Sequence, residues 1–183
     1  GKTTVAGMFL SEGIPVWSAD ETVNSLYKKN QSGYKIIKSF LPTAINDKGV
    51  NKVELSKLVL EDKNLLKRLE SEIHPLVKRD RNIFVDRFYN ERLLVFELPL
   101  LYETEEQRYF DSVLVVTAPK QIQKKRVMKR GFMTKKKFDY LSVRQISNDK
   151  KVSMADYVID TNVEISMLRE TVKNFIDALR KKI

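Results

Sequence analysis

The chain has 183 residues, 42% of them hydrophobic, which is enough for one compact core and too short to require a second domain. The absence of cysteine and the single histidine, His74, exclude disulfides, thiolate-ligated zinc and histidine-rich metal sites. A net charge of +10 attracts polyanions, a group that includes nucleotides, coenzymes and nucleic acids, without choosing among them.

The first residues carry helical spacing, with Val5, Met8 and Phe9 on one face and Gly13 placed to end the helix in a left-handed cap. A short strand follows at Ile14 to Trp17, with Ser18, Ala19 and Asp20 at its C-terminal end. From Glu21 to Asn90 the pattern is helical, and the turn residues Asn46, Asp47 and Gly49 divide its first two segments. Leu93 to Phe96 and Val113 to Val116 are unalternated apolar runs, as expected of strands buried on both faces of a parallel sheet. The longest apolar stretch, Leu93 to Tyr102, is broken by Glu97 and is far shorter than the roughly 20 residues a membrane span requires. A basic helix, Lys120 to Arg130, leads into a charged stretch with little apolar periodicity up to about Met154, then a strand at Tyr157 to Ile159. A final amphipathic helix carries Ile165, Leu168, Val172, Phe175, Ile176 and Leu179. Strands alternating with helices predict an α/β fold with a parallel sheet flanked by helices.

Three features bear on chemistry. Gly1, Lys2 and Thr3 are the tail of the phosphate-binding pattern G-x-x-x-x-G-K-[ST], and a helix follows as that loop demands. Amides at such a helix start cradle phosphate oxygens, the lysine neutralises the β- and γ-phosphates, and the hydroxyl holds magnesium. The tripeptide alone is also compatible with an ordinary helix start. Asp20 sits just past a strand, at the sheet end where open α/β proteins bind ligands, and can accept a proton from an attacking hydroxyl; equally, Ser18 or Asp20 caps the next helix. Between Lys120 and Lys137, nine of 18 residues are Lys or Arg and none is acidic, with Arg126 and Arg130 on one helix face. The lysines read as a solvated surface, whereas the arginines can grip phosphate in a bidentate manner. Glu97 interrupts an apolar strand, so it either supports magnesium through water or partners a nearby Lys or Arg. His74, before Pro75 within the helical region, reads more simply as a packing residue than as a catalyst.

Taken in order, these pieces resemble the dephospho-CoA kinase family over the whole chain. Gly1-Lys2-Thr3-Thr4 matches the phosphate loop, Val16-Trp17-Ser18-Ala19-Asp20 the family's V-I-D-A-D, and Ile73-His74-Pro75-Leu76 its L-H-P-L. Glu97-Leu98-Pro99-Leu100-Leu101-Tyr102-Glu103 resembles D-V-P-L-L-F-E, and Ala155-Asp156-Tyr157-Val158-Ile159-Asp160 resembles A-D-D-V-I-D. The resemblance implies a P-loop kinase domain over 1–183, with a nucleotide-binding core (1–20, 91–130 and 155–183), a helical substrate subdomain (21–90) and a lid (131–154). It also implies a strand and the first half of the phosphate loop upstream of Gly1, and a cytoplasmic monomer that binds neither nucleic acid nor membrane.

Carried over by position, the resemblance makes Asp20 the base and Lys2 its catalytic partner, with Gly1, Lys2, Thr3, Thr4, Arg126 and Arg130 on ATP and Thr3 on magnesium. His74, Pro99, Leu100, Glu103, Arg144 and Lys151 fall on the side of the acceptor, dephospho-CoA. Three departures stand out: Ser18 replaces the first Asp of D-A-D, Glu97 replaces an Asp, and Asn148 stands where the family often carries Arg. Another P-loop kinase of small molecules or nucleotides is the nearest alternative, distinguished by its acceptor. A basic nucleic-acid-binding module is the alternative of a different class, opposed by the scarcity of aromatics in the basic stretch.

Overall fold

The computed structural model describes residues 1–128 and 145–182. The chain forms two compact units, the first made of Gly1–Val16 with Glu97–Ile183 and the second of Trp17–Phe96.

In the first unit, α1 (Lys2–Ser11) ends as its sequence predicts. Gly13 adopts φ +79°, its N–H donates to Leu10 O and the N–H of Ile14 donates to Phe9 O, so two carbonyls of the last turn are satisfied. Arg180 Nη2 covers a third acceptor, Glu12 O, at 2.8 Å. The strands β5 (Leu114–Thr117) and β6 (Tyr157–Asp160) pair in parallel, Leu114 opposite Tyr157 and Thr117 opposite Asp160. Helices α6 (Lys120–Met128) and α7 (Asn148–Ser153) lie in the crossover that a parallel pair requires. α7 falls where the sequence shows little apolar periodicity; Ser147 caps it by accepting from Lys150 N. The last helix, α8 (Ile165–Arg180), buries Leu168, Val172 and Ile176 at intervals of four and packs on α1. The ring of Phe175 meets Phe9 at 6.3 Å and Tyr157 at 4.9 Å, both edge-on, tying α8 to α1 and β6. Val172 and Ile176 are fully buried, each contributing roughly 1.5–3 kcal/mol through removal of apolar surface from water.

The second unit holds most of β1 and β4 at its two chain ends, Val16 and Glu97 falling in the first; β1 (Val16–Ser18) pairs with β4 (Val95–Glu97). β1 begins two residues later than the apolar run suggests, because Ile14 is consumed by the turn that closes α1. Between these strands lie α2 (Ala19–Leu26), α3 (Ser32–Phe40), a 3₁₀ turn (Pro42–Ala44), the strands β2 (Ile45–Asn46) and β3 (Gly49–Val50), α4 (Lys52–Glu61) and α5 (Lys63–Arg87). The turn residues Asn46, Asp47 and Gly49 make an antiparallel hairpin. Gly49 sits at φ +131°, and a Cβ there would lie 2.4 Å from Tyr27 O, so only glycine fits. Tyr27, Ile37, Ala44, Leu55, Leu69 and Ile73 form the core of this unit. Burial pushes the Tyr27 phenol up to about 12. α5 continues through Pro75. The proline withholds one N–H, but Leu69 and Ile73 before it and Leu76 and Val77 after it pack on the same core and keep the helix in register.

Candidate active site

Among the described residues no acidic side chain occupies the first turn of α1 and none caps it, and the positive end of a helix dipole suits an anion. Gly1 must be glycine, since a Cβ there would approach Thr161 Oγ1 to 2.6 Å and Val116 Cγ1 to 3.0 Å. Glu97 lies at the end of β4 with its side chain 4% exposed. A carboxylate so buried is tolerable only with partners, and it has two from α1: Thr3 Oγ1 donates to Glu97 Oε1 at 2.7 Å, and Lys2 Nζ lies 3.2 Å from the same oxygen. Of the two sequence readings of Glu97, the one in which it partners a nearby lysine is the one seen here. Thr3 Oγ1 and the carboxylate supply two adjacent hard oxygens, a donor set that suits magnesium, which takes one or two carboxylates and completes its shell with water and phosphate. Among the described residues no group of three or more His, Asp or Glu converges as a self-sufficient metal cage would require.

Arg126 is held in place. Its Nη1 donates to Thr161 Oγ1 at 2.9 Å and its Nη2 to Thr161 O at 2.8 Å, while Thr161 Oγ1 donates to Thr117 O. Thr161 is 3% exposed and is the same residue that faces Gly1, so one threonine links the arginine to the phosphate end of α1. Asn148 Nδ2 donates to Thr117 Oγ1 at 2.7 Å, giving this departure from the family pattern a packing role at the end of β5. Arg130 and Arg144 lie outside the described residues, as do residues 131–144 of the expected lid, 131–154.

Of the expected acceptor-side residues, Pro99 and Leu100 are exposed, whereas Glu103 and Lys151 meet each other at 2.7 Å. Glu103 Oε1 also accepts from Ile146 N. Burial alone would raise the Glu103 carboxyl, but the Lys151 hydrogen bond, its own backbone N–H, that of Ile146 and the Lys151 charge together hold it below the ordinary value of 4.5. Beside it, burial and then the Asp156 carboxylate push the Tyr102 phenol up, and its buried hydroxyl has no hydrogen-bond partner among the described residues.

In the second unit, Ser18 is the cap of α2, its hydroxyl accepting from Glu21 N at 3.4 Å. Asp20 lies in the first helical turn, exposed, and its carboxylate makes no hydrogen bond or ion pair among the described residues. The alternative in which Asp20 caps the helix is thus taken by Ser18. His74 is exposed on α5 and makes no hydrogen bond among the described residues, so it is not the packing residue its surroundings suggest. Sequence reasoning misses Thr161 and Asp80, which act through partners 35 and 58 to 63 positions away and carry no local motif.

A family model described as dephospho-CoA kinase matches residues 1–166. A dephospho-CoA kinase of Bartonella henselae is 42% identical over 183 residues, covering 99% of this chain and 93% of the relative. That of Ruegeria pomeroyi is 36% identical over 180 residues, covering 98% and 90%. Among solved structures, TT1252 from Thermus thermophilus superposes with a TM-score of 0.76 at 26% identity, covering 98% of this chain and 92% of that one. A dephospho-CoA kinase from Campylobacter jejuni gives 0.70 at 24%, covering 99% and 92%, which supports the fold.

Proposed function

The chain belongs to the dephospho-CoA kinase family and is an ATP-dependent kinase that acts on dephospho-CoA, and on that premise we propose how its residues divide the work. Asp20 takes the proton of the ribose 3′-hydroxyl as that oxygen attacks the γ-phosphorus of ATP; a P–O bond forms there, the β,γ-bridging bond breaks, and ADP leaves. The observation that carries this reading is that Ser18 caps α2 and leaves the Asp20 carboxylate exposed and without a partner among the described residues.

Gly1, Lys2, Thr3 and Thr4 receive the phosphates at the start of α1, Lys2 neutralising the β- and γ-oxygens. Thr3 Oγ1, with Glu97 behind it, would hold magnesium, which when bound spreads the charge developing on those oxygens. Arg126, oriented by Thr161, serves the nucleotide together with Arg130. His74, Pro99, Leu100, Glu103, Arg144 and Lys151 belong to the acceptor side. In this reading, residues 21–90 are the substrate subdomain and 131–154 the lid of a cytoplasmic monomer that takes neither nucleic acid nor membrane; no helix among the described residues is long and apolar enough to cross a bilayer.

A panel of hydroxyl acceptors assayed with Mg-ATP tests the division. Dephospho-CoA should be phosphorylated at the 3′-position alone, with its 3′-deoxy analogue inert. Comparable turnover of a nucleoside or small alcohol, or a product phosphorylated elsewhere, would contradict it.

A further inference from the structure

Asp20 is carried on a short bridge, the end of β1 and the first turns of α2, and a general base needs a fixed position more than it needs basicity. The bridge is gripped on both sides by one group. Asp80 Oδ1, on α5, accepts from Trp17 Nε1 at 2.7 Å and from Thr22 Oγ1 at 2.8 Å. These donors lie three residues before and two after Asp20, and both side chains belong to buried residues, Trp17 5% and Thr22 8% exposed. Buried N–H and O–H groups of this kind are almost always paired, so the Asp80 oxygen supplies what both need.

The same face of α5 adds an apolar clamp. Phe84, four residues on from Asp80, meets Phe96 edge-on at 5.6 Å, and Phe96 meets the Trp17 ring at 6.1 Å. Trp17 is therefore fixed by its ring and by its N–H at once. In the family pattern quoted above, the position of Trp17 is an isoleucine, whose side chain has no N–H to offer.

We propose that Asp80 is a positioning residue for the phosphoryl-transfer step, holding Asp20 in place by bonding Trp17 and Thr22 on either side of it. The inference rests on the assignment of Asp20 as the base. Asp80 touches neither substrate nor the reacting atoms in this account; it acts through the backbone between its two donors. Its loss should appear in kcat and leave ATP binding alone.

The test uses the full chain and its sole tryptophan, whose emission reports Trp17 alone. Asp80→Ala should lower kcat about 10- to 100-fold while KM for ATP stays within about twofold, and should shift the Trp17 emission. Asp80→Asn, which keeps an acceptor oxygen, should restore both. Should Asp80→Ala fold poorly, the double variant Trp17→Phe with Thr22→Val removes the two donors while keeping an aromatic ring at the first position and the shape of the side chain at the second, and should show the same selective loss of kcat. Asp20→Asn is the control: it should lower kcat and leave the emission unchanged. A folded Asp80→Ala, or the double variant, with wild-type kcat overturns the positioning role while an inactive Asp20→Asn preserves the base. If Asp20→Asn itself keeps wild-type kcat, the base assignment falls and the positioning role falls with it.

Discussion

Glu97 and Asp20 each lie at or just past the end of a strand, at β4 and β1 respectively, yet they are opposite kinds of carboxylate. Glu97 is buried and committed, one oxygen shared between Thr3 and Lys2. Asp20 is exposed and, among the described residues, uncommitted, because a neighbouring serine has taken over the capping of its helix. A carboxylate that must organise cations is best enclosed with its partners, whereas one that must accept a proton during the reaction has to keep an oxygen available. Partners, more than position at a strand end, separate the two roles.

The largest expected effect breaks the comparison at Asp20. Asp20→Asn should lower kcat by about 10²- to 10⁴-fold, the usual worth of a general base, with little change in melting temperature. Steady-state kinetics and a thermal melt check both halves.

The next prediction addresses the committed carboxylate. Lys2→Ala leaves Glu97 buried with Thr3 as its remaining α1 side-chain partner, and should cost about 1–3 kcal/mol in denaturant unfolding, less than a fully enclosed pair because Lys2 is 38% exposed. ATP affinity should fall as well, measured by titration calorimetry.

A third carboxylate sharpens the contrast through pH. Glu103 has its carboxyl held below 4.5 in the folded chain, so its contribution to stability is fully present above that value and is lost as pH falls through the depressed one. Melting curves of Glu103→Gln should therefore lose this acid-side decline. The smallest effect compares two cations on α6: Arg126→Ala, which releases the two bonds to Thr161, should weaken ATP binding or turnover, while Lys124→Ala, exposed, should be nearly silent.

Much of this is legible in the sequence where the governing interactions are local. Gly13 predicts its own left-handed cap, and the spacing of Leu168, Val172 and Ile176 predicts both the last helix and the face it buries. The place of Asp20 just past a strand is read from the sequence. Its freedom is not, since the choice between Ser18 and Asp20 as the cap is settled by which hydroxyl or carboxylate reaches Glu21 N. The β2–β3 hairpin has only two residues a side, too few for alternation to register. The helix continues through Pro75, as the helical pattern from Glu21 to Asn90 expects, because tertiary packing on Leu69, Ile73, Leu76 and Val77 outweighs one missing hydrogen bond. The partners of Glu97 lie 94 and 95 positions away and Asp80 grips Trp17 across 63, separations at which no motif operates.

The central claim is that Asp20 acts on the acceptor's proton, while Lys2, held beside Glu97, acts on the phosphates of ATP. Single-turnover rapid-quench transfer from Mg-ATP to dephospho-CoA, run on Asp20→Asn and Lys2→Ala beside an ATP titration of each, tests it most directly. The account predicts that Asp20→Asn binds ATP normally and transfers at least about 10²-fold more slowly, whereas Lys2→Ala loses ATP affinity. An Asp20→Asn protein that transfers phosphate at the wild-type rate would contradict it.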